Sequence, residues 1–129
     1  MKGGTELGRV RGLGSAKHGT DHWLRQRVTA IANIFLFLWL LGSLLMLPAH
    51  DHATLAAWLA QPLVAVPMAI LLVNVVAHVR LGWEILIGDY IHDAGTGFAL
   101  RFLANAYTVA IAALGIFAVA RLAFTGAAF

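Results

Sequence analysis

Cysteine is absent from the 129 residues of this sequence. Its absence excludes disulfide bonds, thiolate metal sites, iron–sulfur ligation and covalent haem attachment through a C-x-x-C-H motif. Charged residues are also scarce, at 12% of the sequence against 60% hydrophobic residues. A soluble domain needs more polar surface than this to cover its apolar content. The composition therefore predicts an integral membrane protein.

The few basic residues are unevenly distributed. Nine Lys and Arg residues give a formal net charge of +3, and six of the nine precede the first long apolar run. A basic cluster at one end of a membrane protein is typical of a juxtamembrane segment, which argues against a nucleic-acid partner. Residues 1–27 are therefore predicted to be a flexible, glycine-rich cytoplasmic arm.

Three apolar runs follow the arm, at about residues 28–47, 63–87 and 98–124. Each is long enough to cross a bilayer core as a helix, which takes about 20 residues. No Lys or Arg lies between the first two runs, so the positive-inside rule places that connection outside and the amino terminus in the cytoplasm. The predicted fold is all-α, with a three-helix transmembrane anchor over residues 28–129 and the carboxyl terminus outside.

Ionisable residues gather toward the end of the second run, in HVRLGWEILIGDY from His78 to Tyr90. Such residues are costly inside a membrane and usually functional. At about 100° per residue, Asp89 is rotated only about 20° from His78, and Gly82 lies one turn after the histidine on the same face. An imidazole followed by a gap without a side chain can receive a flat group such as a porphyrin.

Structural interpretations of the same residues are also open. His78 could hydrogen-bond a neighbouring helix, and Asp89 with Tyr90 could be a polar helix end carrying an interfacial tyrosine. Arg80 and Glu84 are four residues apart, so we expect an internal ion pair on the opposite face from His78. His50 and His52, in the first connection, are interpreted as solvated loop residues rather than metal ligands.

Two stretches resemble the small membrane-anchor subunit of succinate dehydrogenase, respiratory complex II. One is the pattern HxxxGxxxxxxDY, formed by His78, Gly82, Asp89 and Tyr90 on the second span. The other is HWLRQRVTA, residues 22–30, which is similar to that subunit's entry into its first helix. Arg80 and Glu84 have no counterpart in the motif.

The resemblance implies specific roles. His78 would be an axial ligand of the iron of a b-type haem shared with the larger cytochrome b subunit, and Arg27 would lie near the haem propionates. Tyr90 would donate a hydrogen bond to ubiquinone, with Asp89 tuning the groups around it. The second ring nitrogen of His78 is expected to donate to the carbonyl of Asn74, one turn back.

The family also implies partners and a location. The subunit would be inactive alone and would assemble with the cytochrome b, iron–sulfur and flavoprotein subunits, in contact with lipid, to pass electrons from succinate to quinone. A bacterial inner membrane is expected rather than a mitochondrial one. Fumarate reduction, a haem-free structural anchor, and a small proton- or ion-transport protein using His78, Arg80 and Glu84 remain as alternatives.

Overall fold

The computed structural model describes residues 5–10 and 19–125, and all regular structure within them is helical. A short helix, α1, spans Glu6–Val10. The other four helices are α2 (Gly19–Leu45), α3 (His52–Leu59), α4 (Pro62–Tyr90) and α5 (Ala94–Thr125).

Three of these helices are long and apolar enough to cross a membrane: α2 from Thr20, α4 and α5. The predicted all-α architecture with three transmembrane helices is therefore confirmed. At 1.5 Å per residue, the 29 residues of α4 extend about 43 Å, which is longer than a hydrocarbon core of about 30 Å. The ends of α4 consequently reach beyond the apolar layer, and the cytoplasmic position of the amino terminus stays a prediction.

Helix α2 begins before the apolar run does. Gly19 is its first residue, so the segment from there to Arg27, predicted as part of a flexible arm, continues the helix. Residues 1–4 and 11–18 of that arm lie outside the described residues. The charged first turns of α2 thereby acquire fixed neighbours on α4, which a flexible arm would not have.

An aspartate caps a helix in or after each connection between the long helices. Asp51 accepts a hydrogen bond from the Thr54 amide at 2.7 Å and starts α3. Asp93 does the same for the Thr96 amide at 2.7 Å and starts α5. Such side-chain caps satisfy amides that have no partner within the helix. Because Asp93 starts α5 so early, the connection is only residues 91–93.

The glycines on either side of the second connection lie inside helices. Gly88 belongs to α4, and Gly95 and Gly97 belong to the first turn of α5. Pro62 opens α4 at a position where its missing amide hydrogen costs nothing. The chain therefore reverses direction with little irregular backbone at membrane depth.

Helix α4 is central, since it packs against both α2 and α5. It runs antiparallel to α2, because Asn33 pairs with Asn74 and Thr29 pairs with His78, in opposite chain directions. Helix α4 approaches α5 closely at Gly115, where an added Cβ would lie 2.5 Å from Leu72 Cδ2.

Trp58 on α3 stacks on Trp39 of α2 with ring centroids 6.5 Å apart. Only 8% of Trp58 is exposed, so the chain itself covers this side chain. The other faces of the described helices are largely apolar and exposed. No residue in the most apolar 18-residue stretch of α2 is fully buried. Lipid or partner helices must cover these faces in a membrane.

Candidate functional site

His78 lies at the contact between α2 and α4, half-buried. Its Nδ1 atom is 2.9 Å from Oγ1 of Thr29 on the neighbouring helix. The expected hydrogen bond from His78 to the Asn74 carbonyl is therefore wrong. The Asn74 carbonyl is already an acceptor within the α4 backbone, and the Thr29 hydroxyl is the partner of the imidazole instead. None of the described residues forms a hydrogen bond with the other ring nitrogen, Nε2.

Asn74, one turn before His78, joins the same two helices. Its Nδ2 atom donates to the backbone oxygen of Thr29 at 2.9 Å and to Oδ1 of Asn33 at 2.7 Å. Both amide hydrogens are thus used. The four side chains of Thr29, Asn33, Asn74 and His78 form a polar ladder that fixes the register of α2 against α4.

No contact with α4 was predicted from the sequence for Thr29 or Asn33. A signal was present, however. Thr29 and Asn33 are four residues apart on α2, and Asn74 and His78 are four apart on α4. Residues at this spacing share a helix face, so two equally spaced polar pairs on adjacent antiparallel spans indicate a contact.

A cavity of about 350 Å³ lies beside His78 and is also lined by Arg27, Trp23, Gln26 and Ile85, among others. The Arg27 guanidinium carbon lies 5.3 Å from the centre of the Trp23 ring, within the range of a cation–π contact. We call this space the histidine cavity. It brings together the two residues that the family motif assigns to one cofactor.

The structure also separates the two arginines at the start of the first span. Arg25 lines a different, larger cavity of about 620 Å³ on the other side of the α2–α4 contact. Only Arg27 of the pair lines the histidine cavity.

Charged side chains of α2 and α4 meet at the larger cavity, which we call the charged cavity. Arg80 Nε lies 3.7 Å from Glu84 Oε1, so the predicted ion pair is present. His22 of α2 approaches the same carboxylate, with Nε2 3.5 Å from Oε2. His78 does not line the charged cavity. The three residues of the hypothetical transport relay are therefore divided between two cavities.

Gly82 follows His78 by one helical turn. A Cβ atom added there would meet no described atom within 4 Å, in contrast to Gly115. The fold of this chain does not itself require a glycine at position 82. The open space is what the sequence analysis expected beside His78.

Tyr90 is the last residue of α4, about 18 Å along the helix axis from His78 at 1.5 Å per residue. It lines an apolar cavity of about 520 Å³ between α4 and α5, together with Trp83, Ile87, Leu103 and Tyr107, among others. The Tyr90 side chain is 75% exposed. Asp89 is exposed as well and does not line this cavity.

The two capping aspartates, Asp51 and Asp93, lie outside the membrane-spanning helices. The hydrogen bond from the Thr96 amide lowers the pKa of Asp93 below the usual 3.8, and the Thr54 amide lowers the pKa of Asp51 in the same way. Both aspartates therefore act as structural caps in the charged form. No cluster of three or more His, Asp or Glu residues able to hold a metal ion occurs in the described ranges.

Three long apolar helices joined by capped connections define a small three-span membrane protein. Residues 1–123 match the family described as succinate dehydrogenase/fumarate reductase transmembrane subunit. The chain is 36% identical over 86 residues to a succinate dehydrogenase hydrophobic membrane anchor subunit of Rickettsia bellii, covering 67% of this chain and 69% of that protein. A subunit of the same description from Rickettsia conorii is 36% identical over 87 residues, with the same coverage. The chain belongs to this family and is a membrane anchor subunit of succinate dehydrogenase.

Proposed function

We propose that this anchor subunit also holds one face of a b-type haem and contributes to a ubiquinone reduction site. The observation that carries the haem proposal is that His78 and Arg27, from two different helices, line one cavity. Their pairing places an imidazole and a permanent positive charge beside the same space. A haem needs both, one for its iron and one for its propionates.

The donor set fits a shared haem. His78 has a partner for Nδ1 on α2, while Nε2 makes no hydrogen bond to any described residue. His22 also lines this cavity but approaches Glu84, so, as the resemblance to the family implies, the second iron ligand would come from the cytochrome b subunit. When bound, the haem supplies one-electron transfer. The role of this chain is to hold one side of the iron and to offset the propionate charge.

Arg27 suits the second task because its guanidinium is charged at every physiological pH. Its contact with Trp23 limits its freedom, so less entropy is lost when it pairs with an anion. Gly82 leaves room one turn from His78, where a larger side chain would protrude. Arg27 and Trp23 line the histidine cavity, and Gly82 shares the face of α4 that carries His78. None of these three residues lines the charged cavity.

Tyr90 would act at the other end of α4. Reduction of a quinone adds two electrons and two protons, so the site needs hydrogen-bond donors as negative charge develops on the oxygens. The hydroxyl of Tyr90 is such a donor, and the apolar cavity beside it suits a quinone ring or its tail. Asp89 would tune the polar groups at this helix end. Other donors would come from the cytochrome b and iron–sulfur subunits.

The subunit would therefore be catalytically silent alone. It would tether the iron–sulfur and flavoprotein subunits to a bacterial inner membrane through the cytochrome b partner. Its exposed apolar faces, including the side of α2 that faces away from α4, would contact that partner and lipid. Electrons from succinate would pass to quinone at the cytoplasmic edge of the assembled complex.

The Tyr90→Phe variant tests the quinone role. It removes one hydroxyl and keeps the ring, so quinone-dependent turnover should fall while turnover with an artificial dye acceptor stays unchanged. Removing a donor to a developing oxyanion costs about 10²- to 10³-fold, and we expect about the lower value because water can reach an exposed tyrosine.

The matched comparison is Tyr107→Phe, since Tyr107 lines the same cavity from α5. A smaller loss of quinone turnover in Tyr107→Phe than in Tyr90→Phe would assign the hydrogen bond to the Tyr90 hydroxyl rather than to any hydroxyl of the cavity. Equal losses in the quinone and dye assays of Tyr90→Phe would assign Tyr90 to assembly, and unchanged quinone turnover would remove it from the quinone site.

A further inference from the structure

We propose that Thr29 is the positioning residue for the haem ligand: its hydroxyl oxygen accepts the Nδ1–H of His78, which fixes the tautomer that binds iron and sets the reduction potential of the haem. This inference rests on the proposed haem-binding function. It adds a residue of another helix, outside the motif that suggested the ligand.

The direction of the Thr29–His78 hydrogen bond follows from counting hydrogens. The hydroxyl of Thr29 has one hydrogen, and its oxygen lies 2.8 Å from the backbone oxygen of Arg25 and 3.2 Å from that of Gln26. Carbonyl oxygens only accept, so the hydroxyl hydrogen is committed to the α2 backbone. The hydrogen between Oγ1 and Nδ1 must then come from the imidazole.

A neutral imidazole carries one hydrogen, so a protonated Nδ1 leaves Nε2 with its lone pair. An unprotonated nitrogen is what an iron ligand requires. The threonine thus selects the ligating tautomer before any metal is present. Nε2 of His78 makes no hydrogen bond to the described residues, so its lone pair is not used within this part of the chain.

The threonine is itself held in place. Its hydroxyl is tied to the preceding turn, and its backbone oxygen accepts from Nδ2 of Asn74 at 2.9 Å. Asn74 in turn reaches Oδ1 of Asn33 at 2.7 Å. The Thr29 hydroxyl oxygen that accepts from His78 is therefore held in a fixed position on α2. The imidazole plane is fixed by the contact between α2 and α4 rather than by α4 alone.

An acceptor at Nδ1 increases electron donation from the imidazole to the iron and so stabilises the ferric state. A neutral hydroxyl does this less strongly than a carboxylate would. Removing the acceptor should therefore destabilise ferric relative to ferrous haem, and the reduction potential should rise.

The experiment is an equilibrium redox titration of the b haem in the purified complex, comparing Thr29→Val with Thr29→Ser. Valine nearly matches threonine in shape but offers no acceptor, whereas serine keeps the hydroxyl. For Thr29→Val we expect the ferrous-to-ferric ratio at a fixed applied potential to increase by about threefold to tenfold, where tenfold corresponds to about 59 mV for a one-electron couple. Thr29→Ser should titrate like the unmodified complex, and the axial-ligand signals should change only in Thr29→Val.

The outcomes separate this inference from the haem assignment. Loss of haem from Thr29→Val alone would also support it, because valine matches the shape of threonine without the acceptor, whereas serine keeps the acceptor without the methyl group. An unchanged potential in Thr29→Val, or equal effects of valine and serine, would overturn it. If His78→Ala keeps its haem and axial-ligand signals, the haem assignment itself fails, whatever the threonine variants show.

Discussion

Replacing Asn74 with leucine tests the polar ladder between α2 and α4. The substitution removes two hydrogen bonds, of 2.9 Å to the Thr29 carbonyl and 2.7 Å to Asn33 Oδ1. Hydrogen bonds between membrane helices average about 0.6 kcal/mol each, so their loss costs about 1.2 kcal/mol. Leaving the half-buried Asn33 amide without this donor adds a penalty, which for a buried polar group is about 1–3 kcal/mol. Asn33 is only half-buried, so its penalty is about the lower value, and we expect the free energy of unfolding to fall by about 2 kcal/mol in total.

The assay is an SDS titration of the subunit in mixed micelles, followed by tryptophan fluorescence. The stacked pair of Trp39 and Trp58 is a natural probe, because its separation requires α2 and α3 to part. Asn105→Leu is the matched control: this half-buried asparagine of α5 makes no side-chain hydrogen bond to the described residues. The control should change the free energy of unfolding by less than about 0.5 kcal/mol.

A double-mutant cycle sharpens the test. Asn33→Leu combined with Asn74→Leu leaves neither amide without its partner, so the pair should destabilise the subunit less than the sum of the single variants. We expect a coupling of at least about 0.5 kcal/mol for residues in direct contact. Strict additivity, or an Asn74→Leu variant as stable as Asn105→Leu, would refute the ladder.

Three further outcomes can be measured separately. A cysteine introduced at Ala53 should react with impermeant reagents only from outside, and one at Gly95 only from the cytoplasm; the reverse pattern would invert the topology. Because the folded-state pKa of Asp93 is lowered, its stabilising contribution is present above about pH 4 and is lost as the pH falls through that depressed pKa. Asp93→Asn should remove its share of the pH dependence and leave that of Asp51, and stability curves that stay identical would contradict this. Gly82→Leu should reduce haem content without loss of assembled complex, and full haem content would mean that no group lies against this glycine.

The long elements were predictable because apolar length alone determines membrane spans. Residues 63–87 predicted most of α4, for example, and the DY pair falls at its end. The boundaries were less predictable. Hydropathy cannot show that α2 starts at Gly19, since the polar turns before Val28 are stabilised by contacts with α4 rather than by apolar burial.

The site was predictable in its residues but not in its contacts. His78 and Arg27 were identified by motif and share a cavity, yet the motif gave no indication that Thr29 supplies the partner of the imidazole. That partner depends on the register between α2 and α4, which is set by interhelical hydrogen bonds and not by any local pattern. Glu84 shows the same limit. Its ion pair with Arg80, four residues away, was predicted, but its contact with His22, 62 residues earlier in the chain, was not.

Ligation of haem iron by His78 is the central claim, and chemical rescue tests it most directly. In the purified complex, His78→Gly should lose the b-haem spectrum or change its axial-ligand signals, because the proposed iron ligand is removed and His22, which also lines the cavity, approaches Glu84 instead. Added imidazole should restore the unmodified signals by entering the space that the side chain leaves. The control His92→Gly, in the turn before α5, should keep them throughout. Unchanged haem content and unchanged axial-ligand signals in His78→Gly without imidazole would contradict the account.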